Sequence, residues 1–464
     1  MAIWYPDLSN RTGPKYLRIV EAMAEDIAAG RLLAGTRLPP HRELAYQLGI
    51  SPNTTSRAYA EAVKRALLKG EVGRGTFVRA SGGASEGADP ETLHRMNTGP
   101  IDLSRNLPSP GFAEPHIRRV FSEIAGDTGV KALLDYQTDA DLWPHREAGR
   151  TWLAQNGVET NVKHVIPVVG GQHGILSVLM AVLQPGDLLL AEALTYTPVL
   201  AMAARLNLQT GAVAMDGFGV VPDAFEAWCK DANPKAFYLT PTLQAPTTVT
   251  LSIERRTRIA EIASQYGVLL IEDDVFGPLK HDKPEPIAAL APDTTVYVSS
   301  LSKAAAPGLR VGYLCAPSRL ASAIHQSVNL SVWMTPPMTL EVARRLIEDG
   351  TTTRLAEQQQ RVAAERQGVA RQTLGSDVMP DSSDGFHIWM RLPDGWRADV
   401  FAGECRRHGV YVSDARSFAI EAGDAPEAIR ICISHEASEA RLRKGLTLVS
   451  NVLHQKPSNS PTTI

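Results

Sequence analysis

Apolar positions recur at two different periods along this chain, and the change of period divides it. Near the start they fall at Tyr16, Ile19, Val20, Met23 and Ile27, the spacing of one helical face. That predicts an amphipathic helix over Tyr16–Ala29, ended by Gly30. Leu44, Ala45 and Leu48 predict a short second helix, stopped by Gly49. Ser51-Pro52 starts a third, with a capping hydroxyl and proline at the first helical position. Its buried stripe is expected at Ala58, Ala62, Val63 and Leu67. Asn53, Thr54, Thr55 and Arg57 then lie on the first turns of the other face. Val72-Gly73-Arg74-Gly75-Thr76-Phe77-Val78 follows, two glycines around an arginine between β-formers, which reads as a hairpin tip. Two short helices joined by a tight turn, then a hairpin, is a winged helix-turn-helix pattern.

Beyond Pro100 short β-branched runs alternate with longer helical ones. The predicted strands are 165–169, 187–191, 236–240, 268–271, 295–299 and 311–315, with helices such as 171–183 and 253–266 between them. That alternation implies a mainly parallel sheet with helices on both faces. A long helical stretch after Pro317, then strands near 386–392 and 429–434, implies a smaller α+β domain. The segment 81–100 is rich in Gly, Ser, Ala and acids without hydrophobic period, so a flexible tether with an r.m.s. span of ~25 Å is expected. The expected domains are 10–80, a tether over 81–100, a body over 101–455 and a disordered tail over 456–464.

Length and composition narrow the class. A chain of 464 residues exceeds one core. No apolar run reaches the ~18–20 residues of a membrane span, and MAIWYPDLSN has no secretory signal pattern. Cys229, Cys315, Cys405 and Cys432 are too dispersed for a zinc site or disulfide framework, so no metal and a reducing cytoplasm are expected. The net charge of −3 hides an asymmetry. Residues 1–80 hold 12 basic and 7 acidic side chains, the remainder 35 and 43. A basic head on an acidic body points to nucleic acid as partner of the head alone, and the winged-helix template makes that partner double-stranded DNA.

The body's chemistry centres on Ser299–Arg310, SSLSKAAAPGLR. Ser300 and Arg310 can hold a phosphate while Lys303 forms a Schiff base with an aldehyde beside it. Ser-x-x-Lys also opens serine β-lactamase sites, but the Ser-Asp-Asn and Lys-Thr-Gly of those enzymes are absent. Gly170-Gly171-Gln172 lies between a strand and a helix, where backbone amides bind phosphate, or is merely a turn. In Glu272-Asp273-Asp274 an acid can pair with a pyridine nitrogen or only end the strand. Tyr196 can stack on a flat ring or fill core. Arg430, inside an apolar strand, needs an anion: a substrate carboxylate or a structural acid.

Two resemblances carry these segments further. Arg31–Gly35, Leu38–Ala45, Ser51–Tyr59 and Gly73–Val78 resemble the GntR family of winged-helix regulators. The resemblance implies that Arg42 and Arg57 contact phosphates, that Asn53 to Thr55 face the bases, that Arg74 enters or skirts the minor groove, and that Ser51, Gly75 and Thr76 complete the DNA-binding set. Ala66 stands where that family usually turns with glycine, so the third helix is expected to run on. The order Gly-Gly-Gln, Tyr196, Thr240–Thr248, Glu-Asp-Asp, Ser300-x-x-Lys303, Arg310, Arg430 resembles fold-type I aminotransferases over roughly 340 residues.

Together the two parts resemble the MocR subfamily of bacterial regulators. That resemblance implies a multidomain fold: an α+β winged helix-turn-helix, then an α/β pyridoxal-phosphate-dependent transferase fold with a smaller C-terminal α+β subdomain. It implies pyridoxal 5'-phosphate on Lys303, with Asp273 on the pyridine nitrogen and Tyr196 over the ring. Gly171, Gln172, Ser300 and Arg310 hold the phosphate, and Arg430 takes an amino-acid carboxylate, the effector being an amino acid, an amine or the cofactor itself. A homodimer is implied, Tyr136 of one chain reaching the other's phosphate.

The sequence departs from the pattern where the ring hydroxyl is usually bonded. Ala245 replaces the asparagine, and Val275 and Phe276 stand where a tyrosine is expected. Gln244 is one residue that could reach the hydroxyl instead. Asp141 stands where glycine is usual. These departures favour sensing over catalysis; an aminotransferase with an appended DNA-binding domain and a cofactor-free dimerisation module are the competing readings.

Overall fold

A computed structural model describes residues 4–8, 13–28, 31–32, 36–64, 67–71, 75–78, 99–375 and 384–455. The chain forms two compact units, Met1–Glu86 and Gly87–Ile464. Most of the expected tether, the whole expected tail and Arg74 lie outside the described residues.

In the first unit α1 (Lys15–Ala28), α2 (His41–Gln47) and α3 (Pro52–Lys64) enclose a core of Ile19, Val20, Met23, Leu44, Ala58, Ala62 and others. The strands Leu68–Glu71 and Gly75–Val78 pair antiparallel, and the segment before α2 joins them through Leu38 N–H to Thr76 O at 2.9 Å. The end of α3 around Ala66 lies outside the described residues. The α3 stripe is rotated from the expected one. Val63 is 47% exposed, and Tyr59 is buried instead, its hydroxyl donating to Pro39 O at 2.7 Å. A tyrosine can take an inward position when its one polar atom finds an acceptor.

The larger unit is built on a seven-stranded sheet. Its order is Val165–Val168, Gly312–Cys315, Thr295–Ser300, Leu269–Asp273, Ala236–Leu239, Leu188–Glu192, Gln209–Val213. All neighbours are parallel except Gly312–Cys315, which is antiparallel to both of its partners. The strands from Val165–Val168 to Ala236–Leu239 are almost wholly buried, as expected when helices cover both faces. Gln209–Val213 escaped the sequence reading because its first two residues are exposed and polar at the sheet edge. The helices Gly170–Val182 and Ile253–Tyr266 lie where the periodicity places them, the second capped by Ser252.

A smaller lobe packs His387–Arg391, Ala428–Cys432 and Ser413–Asp414 as an antiparallel sheet. Ile101–Asp102 pairs with Val410–Tyr411, so the start of the unit returns to this lobe. Alternation sorts the lobe's faces. Ile388, Met390, Ile429 and Ile431 enter its core. His387 lies opposite Cys432 and Trp389 opposite Arg430, so these four leave the other face together.

Candidate functional site

Four sheet elements deliver the site from one edge. Asp273 and Ser300 end their strands, Tyr196 follows Leu188–Glu192, and the Gly170–Val182 helix begins just after Val165–Val168. In parallel sheets this carboxyl edge is where ligands bind, because loops and helix N-termini gather there.

At one end of the site an anion is well served. Gly170 has φ +76°, and a Cβ there would lie 2.7 Å from Arg310 Nη2, so only glycine lets the guanidinium lie over the helix start. Arg310 Nη2 donates to Val169 O at 3.2 Å. A Cβ on Gly171 would stand 3.8 Å from Ser300 Cβ. Ser300 Oγ is 2.9 Å from Ser302 Oγ and accepts the Ser302 N–H at 3.1 Å. Gln172 is exposed on the first helical turn, and Tyr196 Oη donates to its Oε1 at 3.5 Å. Free N–H groups, the helix dipole and Arg310 all favour negative charge here.

Asp273 and Lys303 face the middle of the site. Tyr238 Oη donates to Asp273 Oδ2 at 2.7 Å and Val275 N–H to Oδ1 at 3.3 Å. Burial raises the Asp273 carboxyl to about 6, against those two donors, which favour its charge. Lys303 Nζ donates to Asn106 O at 2.5 Å and lies 4.9 Å from the Phe276 ring centroid. The residue is half-buried, but its amine is enclosed. Burial brings the amine down to about 8; Arg430 and Arg310 add to this, and Cys432 and Asp273 oppose it. A lysine so depressed is a competent nucleophile near neutrality.

Arg430 lies over the Phe418 ring at 4.6 Å and donates to Ser104 O at 2.8 Å. Among the described residues it has no carboxylate partner, so the structural-acid alternative finds no support. Asn106 Oδ1, His387 Nε2 and Arg430 Nε are all buried without a hydrogen-bond partner. Native interiors leave few such atoms. These three lie about Lys303, and together with the anion end their chemistry fits pyridoxal phosphate.

The departures from the aminotransferase pattern have a common setting. Ala245 and Phe276, each 7% exposed, pack with Leu243, Leu279, Ala363 and Phe386 in one apolar cluster. Gln244 does not stand in for the lost asparagine. Its amide donates to Glu192 Oε2 at 3.2 Å and Leu194 O at 2.6 Å, so both its hydrogens are engaged. Asp141 accepts from Thr138 N–H at 2.8 Å and closes a local turn. Tyr136 is 72% exposed, its ring against Trp333 at 5.7 Å between centroids.

In the first unit Arg42, Ser51, Asn53 and Arg57 are exposed and Thr54 is half-buried. Ser51 Oγ accepts the Thr54 N–H at 3.3 Å, capping α3. Arg57 lies over the Tyr16 ring at 4.1 Å. Thr55 does not face outward as expected. It is fully buried, and its hydroxyl lies 2.8 Å from His41 O and 2.9 Å from Pro52 O, tying α2 to α3. The turn between the helices aims this position inward, which helical spacing alone does not reveal. Thr76 is half-buried beside the segment before α2.

Asn106, Tyr238, His387 and Cys432 were not singled out from sequence. Tyr238 had only its place in a predicted strand; the in-register pairing with Ile271 that sets it on the same face as Asp273 is fixed by the tertiary structure. Asn106 had no signal, since it sits in an irregular segment.

The fold and the site define a two-part protein, a winged-helix head joined to a body of fold-type I aminotransferase architecture. Residues 15–78 match the family described as bacterial regulatory proteins, gntR family, and residues 101–446 match aminotransferase class I and II. The chain belongs to the aminotransferase class I and II family and carries a gntR-type helix-turn-helix domain ahead of it. It is 28% identical over 453 residues to the uncharacterized HTH-type transcriptional regulator YdeF of Bacillus subtilis, covering 97% of this chain and 96% of that one. It is 26% identical over 422 residues to the vitamin B6 salvage pathway transcriptional repressor PtsJ of Salmonella typhimurium, covering 90% and 93%. Pyrococcus horikoshii kynurenine aminotransferase superposes with a TM-score of 0.70 at 24% identity, over 80% of this chain and 95% of that one. Among the described residues no helix is long and apolar enough to cross a membrane.

Proposed function

We propose that this protein is a cytoplasmic DNA-binding transcriptional regulator whose body binds pyridoxal phosphate through Lys303 and responds to an amino acid, an amine or the cofactor itself. The observation that carries the reading is the convergence of a depressed lysine, a buried acid and an anion cradle around three unpartnered polar atoms. In this reading Gly171, Gln172, Ser300 and Arg310 hold the phosphate. Asp273 keeps a proton on the pyridine nitrogen, Tyr196 covers the ring and Arg430 holds an effector carboxylate. When bound, the cofactor supplies an aldehyde open to exchange between Lys303 and an incoming amine. The similarity to PtsJ, a vitamin B6 salvage pathway transcriptional repressor, supports the cofactor as an effector class.

On the head, Arg42, Arg57 and Arg74 contact DNA phosphates; Ser51, Asn53 and Thr54 lie at the base-reading end of α3, and Gly75 and Thr76 carry the wing. Thr55 is left out of the contact set by its burial. A homodimer accounts for the exposed apolar side chains Leu134, Tyr136, Leu330 and Trp333, with Tyr136 contributing to the partner's phosphate site. The apolar cluster at Ala245 and Phe276 weakens the case for a turning-over aminotransferase, because it removes two donors that tune the ring.

The test is a titration of the purified protein with pyridoxal phosphate, followed by candidate amines. A visible absorption band should form in the wild type, vanish in Lys303→Ala and change on adding an effector that also alters operator affinity. A protein that stays colourless at saturating cofactor refutes the cofactor half. Sustained turnover of an amino donor and a keto acid would favour the enzyme instead.

A further inference from the structure

The corner that has lost its two usual donors holds a third polar group. His387 is 1% exposed, and its ring lies 6.1 Å from that of Phe276 between centroids. Lys303 Nζ lies over the same Phe276 ring at 4.9 Å. The backbone carbonyls of Gln244 and Pro246, which flank Ala245, also face the imidazole. His387 therefore sits against both positions where a hydrogen-bond donor is missing, on the sheet face that also carries Arg430.

Its tautomer is set from behind. Asn106 Nδ2 lies 3.1 Å from His387 Nδ1. An amide nitrogen can only donate, so Nδ1 accepts and the proton resides on Nε2. That N–H is buried, with the Gln244 and Pro246 carbonyls close by but neither in good hydrogen-bond geometry to it. Asn106 also accepts Lys303 Nζ through its carbonyl oxygen, so the donor's support and the lysine's anchor are one residue. Burial, with the Arg430 guanidinium and the Lys303 amine, holds the imidazole down to about 3, and the Gln244 and Pro246 carbonyls only partly oppose this. The ring is thus a neutral donor throughout the physiological range.

In pyridoxal phosphate the 3′ oxygen is attached to the ring carbon beside the one bearing the aldehyde, on the side away from the phosphate arm. A donor near the lysine and beside Ala245 and Phe276 is placed for that oxygen. We propose that His387, held in one tautomer by Asn106, donates to the cofactor's 3′ oxygen in place of the donors lost at Ala245 and Phe276. This inference rests on the reading that Lys303 carries the cofactor. A donor to that oxygen stabilises its anionic form. It therefore lowers the pH at which the lysine-bound cofactor changes colour.

The experiment compares absorbance-versus-pH curves of full-length wild type, His387→Phe and His387→Gln, each saturated with pyridoxal phosphate, and measures cofactor dissociation by equilibrium dialysis. His387→Phe should keep the visible band but raise its pH midpoint by about one unit and weaken cofactor binding about tenfold. His387→Gln, which retains an N–H donor, should recover most of both effects, and it also serves if the phenylalanine variant does not fold. An unmoved midpoint in His387→Phe overturns the inference and leaves the cofactor reading standing. A His387→Gln midpoint displaced by a full unit overturns it as well. Absence of any band in the wild type removes the cofactor reading, and this inference with it.

Discussion

Capture of the cofactor should be governed by the charge on Lys303, and the structure sets both its size and its sign. With its amine near 8 rather than 10.5, about one molecule in ten is neutral at pH 7, against about one in three thousand for an ordinary lysine. The reactive population is therefore raised about 300-fold. The rate of band formation should climb tenfold per unit of pH up to about 8 and then level off. Two substitutions should move that bend in opposite directions. Arg430→Gln removes a cation that favours the neutral amine, so the bend moves up. Asp273→Asn removes an anion that favours the charged amine, so it moves down. Each shift is expected to be about half a unit to one unit. The same depressed value makes the folded chain less stable below about pH 8, a penalty that fades as pH rises toward 10.5. The assay is stopped-flow absorbance from about pH 6 to about pH 10, with a free alkyl amine run in parallel to correct for the cofactor's own titration. A corrected rate that keeps rising past pH 9 without a bend, or variants that shift the bend the same way, would falsify the electrostatic account.

Three further outcomes are expected. Gly170→Ala places a Cβ 2.7 Å from Arg310 Nη2 at a positive φ, so pyridoxal-phosphate affinity should fall by about tenfold or more in equilibrium dialysis, with the overall fold retained by circular dichroism. Thr55→Val strands the carbonyls that its hydroxyl faces and should destabilise the head by about 1–3 kcal/mol, seen as faster hydrogen exchange in α2 and α3 and weaker operator binding with an unchanged salt slope. Arg57→Ala should instead lower the slope of log affinity against log salt by about one, the signature of a lost phosphate contact; an unchanged slope removes Arg57 from the contact set.

The elements and their order were legible in the sequence because they depend on neighbours a few residues apart. Ser51-Pro52 starts α3 through its own hydroxyl and ring, and Ile253–Tyr266 follows from period and capping alone. The residues at strand ends were legible for the same reason: Asp273, Ser300 and Lys303 stand where buried β-branched runs stop. What the sequence could not decide is which side chains face one another once the strands pair and the lobes close. Thr55 reads as an exposed helix-start residue until the α2–α3 turn directs it inward. Gln244 reads as a free donor until Glu192 and Leu194, some fifty residues earlier, take its amide. His387 lies 281 residues from Asn106 in the chain, and its tautomer exists only because the two meet. Local pattern determined the elements and the lysine at their edge. Long-range pairing, which carries no short-period signal, decided the polar surroundings that tune it.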